Sequence, residues 1–551
     1  MEHDEDRLSN LPKVILHSIM SRLPEEDAAK TSVLSKDWLE TWYTFPILSF
    51  SDSQITGLFP PSDLGRMLFP ESMDDFVTKI ENFIDYVKRR LLRFYDNGLA
   101  IKKFKLVVDN VELCSYILMD VDLWLKLAGE SGVEVLDLYL PDGPDQDEEG
   151  GIKYYVLPKG VIEVKSLTEL VLMPGIGVDT AFMNHSIKFF SLRVLSLWGV
   201  LVRDEHAIEH LISCCPLIEH ITVSFCSVLR PNGATNRLLE GSMKSLSMVG
   251  LLKLKTVDVR GIQEIYIDAP CLEKLFYCPG YFDEPFKIDF DRCQNLKYLS
   301  LMRDIITDKW FLELFPKFPF LESLKLNNCT MAERIDISSD QLKVLGLSNC
   351  SNLKEVNIDA PNLLSCVYHG DCSLETIISF LRSSSQLKVD MDFSIDYRHL
   401  CNLREFVQNI KPQNVLSSLS LFIFKRIADV LHPMVFQVSS PPPSIKHLHL
   451  LYVPTNETTF SSIVNILLSS CCPAFISLNP HSKAFIEFLY ETLMERKGDD
   501  CFCSSSDTKC WWHGLKNVKV ISSVKIDENI DFKTMLELLP TDEKINFMLE
   551  F

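Results

Sequence analysis

A pattern of three apolar positions recurs along most of the chain, and it constrains the fold more than any other feature. In each copy the apolar residues are separated by two positions and then by one, and copies begin roughly 21 to 34 residues apart. Apolar residues two positions apart share one face of a strand, so each copy predicts a short strand with a buried face. One strand and its return segment cannot bury that face alone, so the pattern predicts stacked units in a solenoid. The copies are Ile101/Phe104/Leu106, Val133/Leu136/Leu138, Leu167/Leu170/Leu172, Leu192/Leu195/Leu197, Ile218/Ile221/Val223, Met243/Leu246/Met248, Leu272/Leu275/Tyr277, Leu296/Leu299/Leu301, Leu321/Leu324/Leu326, Leu342/Leu345/Leu347, Leu416/Leu419/Leu421, Ile445/Leu448/Leu450 and Leu515/Val518/Val520.

Two longer segments duplicate one another and predict how some strands are joined. They read YIDAPCLEKLFYCPG from Tyr266 and NIDAPNLLSCVYHG from Asn357. Strand-like runs recur in both after about ten residues, so we expect tight returns without helices. Three copies of the repeat also extend to a cysteine that is expected to point into the solenoid, namely Cys226, Cys329 and Cys350.

Residues 6–50 differ from the repeat and predict a small helical module. Asn10 is placed to cap a first helix, with Pro12 in its first turn, and Leu23-Pro24 is expected to end it. Residues 25–34 predict a second helix, and Ser35 is placed to cap a third. Three short helices carry more apolar surface than they can bury, so a partner is expected to cover the rest. The apolar residues at helical spacing are Leu11, Ile15, Leu16, Ile19, Leu23, Trp38 and Trp42.

This module resembles the F-box of plant F-box proteins, because its cap, helix-breaking and tryptophan positions match together over residues 6–50. The resemblance implies docking on the Skp-type adaptor of a Skp–cullin–F-box ubiquitin ligase. Three departures alter the charged rim of the module but leave its apolar residues in place: Lys13 replaces an acid, and Asp37 and Leu39 replace arginines. The residues expected to contact the adaptor are Leu11, Pro12, Ile15, Ile19, Leu23 and Trp38.

The repeats resemble leucine-rich repeats, and the C-terminal tail resembles the FBD domain that follows the repeats in many plant F-box proteins. The tail predicts strand, helix and strand, ending with residues 545–551, and it is expected to cap the open end of the solenoid. The expected fold is α/β: a three-helix F-box, an irregular leucine-rich-repeat solenoid and a small α+β cap. The expected domains are the F-box (1–50), a linker and amphipathic helix (51–100), the solenoid (101–460), and degenerate repeats with the cap (461–551).

Composition and charge restrict the classes of partner. The formal net charge is −20, which argues against general binding to nucleic acid or to anionic membranes. The 17 cysteines lie mostly in apolar runs, as free thiols do in a reducing compartment. The acidic N-terminus does not resemble a signal peptide, and the longest apolar run is broken by polar residues and Pro473. We therefore expect residence in the nucleus or cytoplasm, with Lys88-Arg89-Arg90 and Arg93 as a candidate import signal.

Two groups of residues have the composition of metal sites. His206, Glu209 and His210 match H-x-x-E-H, but the segment leads directly into a repeat strand and has no evident third ligand. Cys501, Cys503 and Cys510 lie near His513 in a polar segment with the less usual C-x-C spacing. The common hydrolase, nucleotide and dinucleotide signatures do not occur in the sequence. We expect a non-catalytic protein without a cofactor or a metal.

The resemblance implies a substrate receptor of a ubiquitin ligase, whose target should bind the outward positions of the repeat strands. Several candidates are lysines, which favour an acidic or phosphorylated target. Two alternatives remain open: a repeat scaffold whose F-box does not dock, and a small-molecule receptor of the hormone-sensing kind. The candidate contact residues are Arg193, Trp198, Tyr266, Lys297, Tyr298, Lys325, Lys343, His447 and His449.

Overall fold

A computed structural model describes fourteen stretches of the chain, which fall into two compact units divided after Gln294. None of the helices in these stretches combines the length and the apolar composition needed to cross a bilayer. The described stretches are residues 11–23, 25–52, 73–141, 154–178, 189–228, 242–280, 287–303, 305–370, 374–412, 415–424, 442–494, 511–522, 531–540 and 543–551.

The first unit begins with three short helices and continues as alternating strands and returns. Its helices are α1 (Lys13–Met20), α2 (Glu25–Lys30), α3 (Lys36–Tyr43), α4 (Met73–Asp96), α5 (Val111–Glu130), α6 (Lys159–Ile162) and α7 (Ala207–Ser213). Its strands are β1 (Ile47–Ser51), β2 (Lys103–Val107), β3 (Val135–Tyr139), β4 (Tyr155–Val156), β5 (Glu169–Leu172), β6 (Ile176–Val178), β7 (Val194–Trp198), β8 (Leu201–Val202), β9 (His220–Ser224), β10 (Ser227–Val228), β11 (Ser245–Val249), β12 (Thr256–Arg260), β13 (Glu264–Asp268), β14 (Lys274–Cys278) and β15 (Lys287–Asp289).

The strands of the first unit form one large parallel sheet and two smaller ones. The large sheet has the order β1-β2-β3-β5-β7-β9-β12-β14. The smaller sheets are β4-β6-β8-β10 and β11-β13-β15. The inward residues of the large sheet are almost completely buried, as in β7, where Leu195 and Leu197 are inaccessible to solvent. The predicted solenoid is confirmed, and its core lies behind the large sheet.

The second unit repeats this arrangement and then changes strand direction. Its helices are α8 (Asp308–Lys317), α9 (Leu403–Asn409), α10 (Phe460–Ser470), α11 (Lys483–Met494), α12 (Trp511–Gly514) and α13 (Phe532–Leu538). Its strands are β16 (Tyr298–Met302), β17 (Ile305–Ile306), β18 (Ser323–Asn327), β19 (Thr330–Met331), β20 (Arg334–Ser338), β21 (Val344–Ser348), β22 (Glu355–Ala360), β23 (Ser365–Gly370), β24 (Ile377–Ser383), β25 (Lys388–Asp396), β26 (Leu416–Phe424), β27 (Ser444–Tyr452), β28 (Cys472–Leu478), β29 (Asn517–Ile521) and β30 (Ile545–Glu550).

The large sheet of the second unit is parallel from β16 to β28 and antiparallel at its end. Its parallel order is β16-β18-β21-β23-β25-β26-β27-β28. The last strand, β30, pairs antiparallel with β28, and β29 pairs antiparallel with β30. The copy that begins at Leu515 is therefore not a repeat strand, because β29 runs against its neighbour in the terminal part of the sheet.

The duplicated segments join two different sheets rather than two neighbouring strands of one sheet. β13 pairs with β11 and β15, whereas β14, which starts six residues after β13 ends, pairs with β12 in the large sheet. β22 and β23 are separated in the same way. The expectation that tight turns without helices join these strands is confirmed, but the joined strands belong to two different sheets, since the second strand of each coil serves as the return.

A buried tyrosine joins the two sheets at the same place in both duplicated segments. The hydroxyl of Tyr277, on β14, donates to the carbonyls of Ile262 and Gln263 just before β13, at 3.0 and 2.9 Å. The hydroxyl of Tyr368, on β23, donates to Thr376 Oγ1 just before β24, at 3.0 Å. The tyrosine recurs with the duplication, but its hydrogen bonds differ: Tyr277 reaches the carbonyls before β13 directly, whereas Tyr368 reaches the equivalent Leu353 carbonyl through Thr376, whose hydroxyl donates to it at 2.9 Å.

Most copies of the repeat do form strands, but the sequence did not always predict which sheet a strand belongs to. The Met243 copy forms β11, which belongs to a smaller sheet. Strands on both walls of the core carry alternating apolar residues, so the pattern cannot tell one sheet from the other. Several strands of the large sheets were missed, although they carry alternating buried residues. The missed strands are β12, β25 and β28.

Six strands of the large sheets are each followed directly by a residue with a left-handed backbone conformation. Its N–H donates to a carbonyl at the end of the next strand in the sheet, which is that of the last residue or the one before it, as from Phe225 to Arg260 at 2.9 Å and from Asn328 to Ser348 at 2.8 Å. Left-handed φ favours glycine and asparagine, so Phe225 and Arg303 are unusual here. These residues are Gly199, Phe225, Gly261, Arg303, Asn328 and Asn349, with φ values between 52° and 81°.

The three predicted cysteines occupy one position in the repeat and use their thiols alike. Cys226 and Cys329 are fully buried and Cys350 is half-buried. Each thiol donates to two backbone carbonyls, for example from Cys226 to Leu197 and Ser224 at 3.7 and 3.8 Å. The inward orientation expected from the sequence is confirmed, and the thiols partly satisfy the backbone where each strand ends.

Candidate functional site

The N-terminal helices pack around a small core of their own. Its buried members are Leu16, Met20, Ala28, Trp38 and Phe45, and four apolar residues pack against them: Leu11, Ile19, Trp42 and Ile47. The N-terminus of α3 is capped as expected, since the Ser35 hydroxyl accepts a hydrogen bond from the Trp38 N–H at 3.2 Å. α1 begins directly after Pro12, whereas Asn10 and Pro24 lie outside the described residues.

Among the described residues of this module, six large apolar side chains remain exposed, and they define what we call the F-box apolar surface. The strongest exposures are those of Val33 (83%), Val14 (77%) and Leu34 (63%). Isolated exposed apolar residues are common on proteins, but six in one small module are typical of a surface that a partner covers. The complete set is Val14, Ile15, Leu23, Val33, Leu34 and Leu39.

The residues predicted to contact an adaptor divide into three groups. Pro12, Ile15 and Leu23 are exposed, while Leu11 and Ile19 are half-buried against the core. Trp38 is only 4% exposed, so the expectation that it presents its ring to a partner was wrong. It supports α3 from within, because the cap at Ser35 starts the helix with Trp38 facing α1. The sequence analysis missed Val14, Val33 and Leu34, which lie off the helical face formed by the other residues.

The three departures from the F-box pattern each have a local partner or position. Lys13 Nζ pairs with Glu40 Oε1 at 3.0 Å, which links α1 to α3. Asp37 lies in the first turn of α3, where a negative charge is favoured by the helix dipole. Leu39 belongs to the F-box apolar surface. The departures therefore fit the fold of the module.

The module is attached to the rest of the first unit through α4 and β1. The Arg90 guanidinium donates from Nη1 and Nη2 to the Trp42 carbonyl, both at 3.2 Å, and lies 4.9 Å from the Trp42 ring. Arg93 lies 3.7 Å from the ring of Tyr43. β1 pairs with β2 over five residues. Two members of the predicted basic cluster, Arg90 and Arg93, thus hold the helical module rather than forming a free charged patch.

A partly buried histidine lies inside the module. His17 Nε2 lies 3.1 Å from the Thr41 carbonyl and 3.3 Å from Thr44 Oγ1. Burial, followed by the nearby charge of Lys13, lowers the pKa of His17, although the contact with the Thr41 carbonyl opposes this shift. The packing of α1 on α3 therefore favours the neutral ring.

The candidate target-contact residues are distributed over three surfaces. Arg193 and Trp198 lie on the large sheet of the first unit, where Arg193 pairs with Glu219 at 2.7 Å and Arg260 lies 5.6 Å from the Trp198 ring. Tyr266 lies on β13, in a smaller sheet, so it does not share their surface. The remaining candidates belong to the large sheet of the second unit.

The lysines of the second unit interact with their own neighbours. Lys343 pairs with Glu322 at 2.8 Å, and Lys325 Nζ lies 5.6 Å from the ring of Tyr298. Lys297 is exposed just before β16. The charges of Lys343 and Lys325, which were expected to attract an acidic target, thus already interact with neighbouring side chains.

His447 and His449 lie on β27 in a polar part of the same sheet. The His447 ring is nearly parallel to that of His449, at 5.7 Å, and to that of Phe475, at 5.1 Å. Burial lowers the pKa of both histidines, which favours neutral rings. In register with them across β26 lie Asp390 and Asp392 of β25, which the sequence analysis missed.

A serine, a histidine and an aspartate form a hydrogen-bonded chain across three strands of this sheet. Ser348 Oγ lies 2.7 Å from His369 Nδ1, and His369 Nε2 lies 2.5 Å from Asp392 Oδ2. The neighbouring N–H of Asn349 donates to the His369 carbonyl at 2.8 Å and is not available to an oxyanion. The chain fixes the orientation of the His369 ring and occupies one side of the Asp392 carboxylate.

The H-x-x-E-H segment protects the edge of a sheet. Glu209 accepts hydrogen bonds from the Ser247 N–H at 2.6 Å and from His206 at 2.8 Å. Glu205 accepts from the N–H groups of Lys244 and Ser245 in the same way. These carboxylates satisfy the free edge of β11, which is otherwise exposed to strand addition. Within the described stretches, no three His, Cys, Asp or Glu side chains are grouped to hold a metal, and Cys501, Cys503 and Cys510 lie outside them.

Three family models match the chain along its length. The F-box domain matches residues 8–50. The leucine-rich repeats of the FBD-associated F-box protein At5g56370 match residues 121–290, and the leucine-rich-repeat domain of At1g61320/AtMIF1 matches residues 282–469. F-box domains in general bind a Skp-type adaptor, and F-box proteins with leucine-rich repeats are in general non-catalytic adaptors.

Curated relatives from Arabidopsis thaliana are named as F-box proteins, most of them with leucine-rich repeats, an FBD domain or both. F-box/LRR-repeat protein 13 is 25% identical over 76% of this chain and 83% of its own length. F-box/FBD/LRR-repeat protein At2g26030 is 22% identical over 64% of this chain and 79% of its own length. FBD-associated F-box protein At3g52670 is 26% identical over 56% of this chain, and the match spans 62% of that relative. The F-box helices, the parallel solenoid and these matches together show that the chain has an F-box domain and leucine-rich repeats, and that it is similar to F-box/FBD/LRR-repeat proteins of Arabidopsis thaliana.

Proposed function

We propose that this chain is the substrate-recognition subunit of a Skp–cullin–F-box ubiquitin ligase. The F-box apolar surface carries the proposal, because the module has its own buried core and still exposes six apolar side chains. A Skp-type adaptor would cover this surface and connect the chain to a cullin. The solenoid would hold the target near the ubiquitin-carrying enzyme, which raises the effective concentration of target lysines.

The expected role is recognition rather than chemistry. The repeat strands present outward side chains in register over many strands, which suits an extended protein contact. The thirteen cysteines in the described stretches are free, and burial raises the pKa of several of them, for example that of Cys293 to about 11. Cysteines outside disulfides, several of them buried, support residence in the nucleus or cytoplasm, which we propose for this protein.

Adaptor binding by the purified full chain tests the proposal. A Leu34→Asp variant places a charge on the F-box apolar surface, and Leu312→Asp, at a residue 70% exposed on α8, is the matched control. Burying one large aliphatic side chain is worth about 1.5–3 kcal/mol, so Leu34→Asp should weaken binding to a Skp-type adaptor at least tenfold. Leu312→Asp should bind like the wild type. Lack of binding by the wild-type chain would favour the repeat scaffold instead.

A further inference from the structure

Two rows of polar residues cross the large sheet of the second unit at β25, β26 and β27, with short serine side chains on the middle strand. Asp390, Ser418 and His447 lie in register across the three strands, and Asp392, Ser420 and His449 form the next row. Neighbouring strands are about 4.8 Å apart, so the aspartates and histidines stand about 10 Å apart with only serines between them. We call these six residues the Asp–His groove.

One wall of the groove carries two carboxylates, those of Asp390 and Asp392. Among the described residues, Asp390 makes no ion pair and accepts no side-chain hydrogen bond. Burial, followed by the charge of Asp392, raises the pKa of Asp390, while Lys388, His449 and His447 exert smaller opposing effects. Asp392 is paired with His369 on the side away from the groove. A cation bound in the groove would relieve the repulsion between the two aspartates.

The opposite wall is flat and aromatic. His447 and Phe475 are cross-strand neighbours whose rings lie 5.1 Å apart and 18° from parallel, so the other face of His447 is directed over Ser418 toward Asp390. The plane of the His449 ring lies 7° from parallel to that of His447. The lysines that act electrostatically on this wall are Lys446 and Lys544, and the lowered pKa values of both histidines favour rings without charge. A flat cationic group could therefore stack on this wall while facing the carboxylates.

We propose that the Asp–His groove binds an arginine side chain of the target protein. This inference rests on the proposed function, since it names the chemistry of the target that the receptor would recognise. A guanidinium is planar, keeps its charge, and can pair with a carboxylate while stacking on an aromatic ring, whereas an ammonium is a compact point charge. The net charge of −20 also favours a basic partner over the acidic or phosphorylated one expected from the lysines.

Peptide selection on the full chain tests this assignment without knowledge of the target. A phage-displayed library of random twelve-residue peptides is selected on wild-type protein, and enriched peptides are synthesised with each arginine kept or replaced by citrulline, its neutral analogue. Enriched sequences should contain arginine, and citrulline should weaken binding at least tenfold. The Asp390→Asn variant, which preserves shape, should bind the arginine peptides as weakly as the wild type binds the citrulline peptides.

The controls separate the groove from the ligase role and from loss of structure. Asp336→Asn removes an exposed carboxylate on β20, in a smaller sheet, and should leave peptide binding unchanged. Thermal unfolding of Asp390→Asn should match that of the wild type. Failure to enrich any peptide, enrichment without arginine, or equal binding of citrulline peptides would each overturn the assignment. Adaptor binding is measured on the same samples, so its loss alone would count against the ligase role and not against the groove.

Discussion

The Arg90 guanidinium lies 4.9 Å from the Trp42 ring and donates two hydrogen bonds to the Trp42 carbonyl. Arg90 is on α4 and Trp42 on α3, so this contact joins the F-box helices to the first repeat. Only 6% of Arg90 is exposed, so these interactions offset the cost of removing its charge from water. The contact therefore holds the F-box helices in a fixed position against the repeats of the first unit.

Replacing Arg90 by alanine should therefore weaken the first unit. Charged hydrogen bonds and cation–π contacts of this kind are each worth about 1–3 kcal/mol, so Arg90→Ala should cost about 2 kcal/mol or more in the free energy of unfolding. Arg89→Ala is the control, because Arg89 is exposed and lies 3.9 Å from Asp85. Its effect should stay below about 1 kcal/mol. Equal effects of both variants in denaturant unfolding would contradict the structural role of Arg90.

The left-handed turn after β12 is expected to tolerate only glycine. Gly261 has φ +81°, and a Cβ placed there would lie 2.8 Å from Phe225 Cδ1. Gly98 has φ +61° and open space around it, so Gly98→Ala carries the backbone cost of about 1 kcal/mol without the clash. Gly261→Ala should lower the melting temperature clearly more than Gly98→Ala. A smaller or equal decrease would mean that Phe225 moves away freely.

The two bridging tyrosines should contribute similarly to stability. Removing the hydroxyl in Tyr277→Phe or Tyr368→Phe removes hydrogen bonds from the buried space between two sheets, at a cost of about 1–3 kcal/mol each. Tyr452→Phe is the control, since Tyr452 is 37% exposed and stacks on Phe422 at 4.8 Å. Chemical unfolding of the three variants checks this expectation, and a loss confined to Tyr452→Phe would refute it.

Stability should fall as the pH falls because of His17. Its pKa is lowered in the folded chain, so between that value and the ordinary value near 6.5 the unfolded chain binds more protons. The stabilising contribution is complete above about pH 6.5 and is lost as the pH falls toward the folded pKa. His447 and His449 act in the same direction, whereas His206, whose pKa is raised by Glu209, acts oppositely.

Comparing wild type with His17→Gln isolates the effect of His17. The loss of stability between pH 7.5 and pH 5.5 should be smaller in the variant, since it no longer carries the titrating ring. Unfolding midpoints measured over this interval provide the comparison. An identical pH dependence in both proteins would show that His17 is not held in its neutral form.

Much of the fold follows from the sequence, because the repeat pattern reports which residues are buried. It does not report which sheet buries them, and so Met243 and the Tyr266 segment were placed on the wrong wall. Strand β25 was missed because Leu387, Val389, Met391 and Phe393 alternate strictly and lack the wider first spacing of the repeat. That alternation is itself a strand signal, and it would have brought Asp390 and Asp392 into view.

The F-box surface was predictable only in part. Helical spacing placed Ile15 and Leu23 correctly on the surface, but it cannot tell which tryptophan of a short module fills its core. Trp38 is buried because the Ser35 cap fixes where α3 begins, and this depends on the packing of all three helices. Val33 and Leu34 follow the end of α2, where no periodic pattern extends to them.

Hydrogen exchange of the full chain, with and without a Skp-type adaptor, tests the central claim most directly. The account predicts that the adaptor slows amide exchange in α1, α3 and the turn at Thr31–Val33, while the strands from β16 to β28 exchange as in the free chain. Absence of a complex, or protection that falls on the repeat strands and leaves the F-box helices unchanged, would contradict the account.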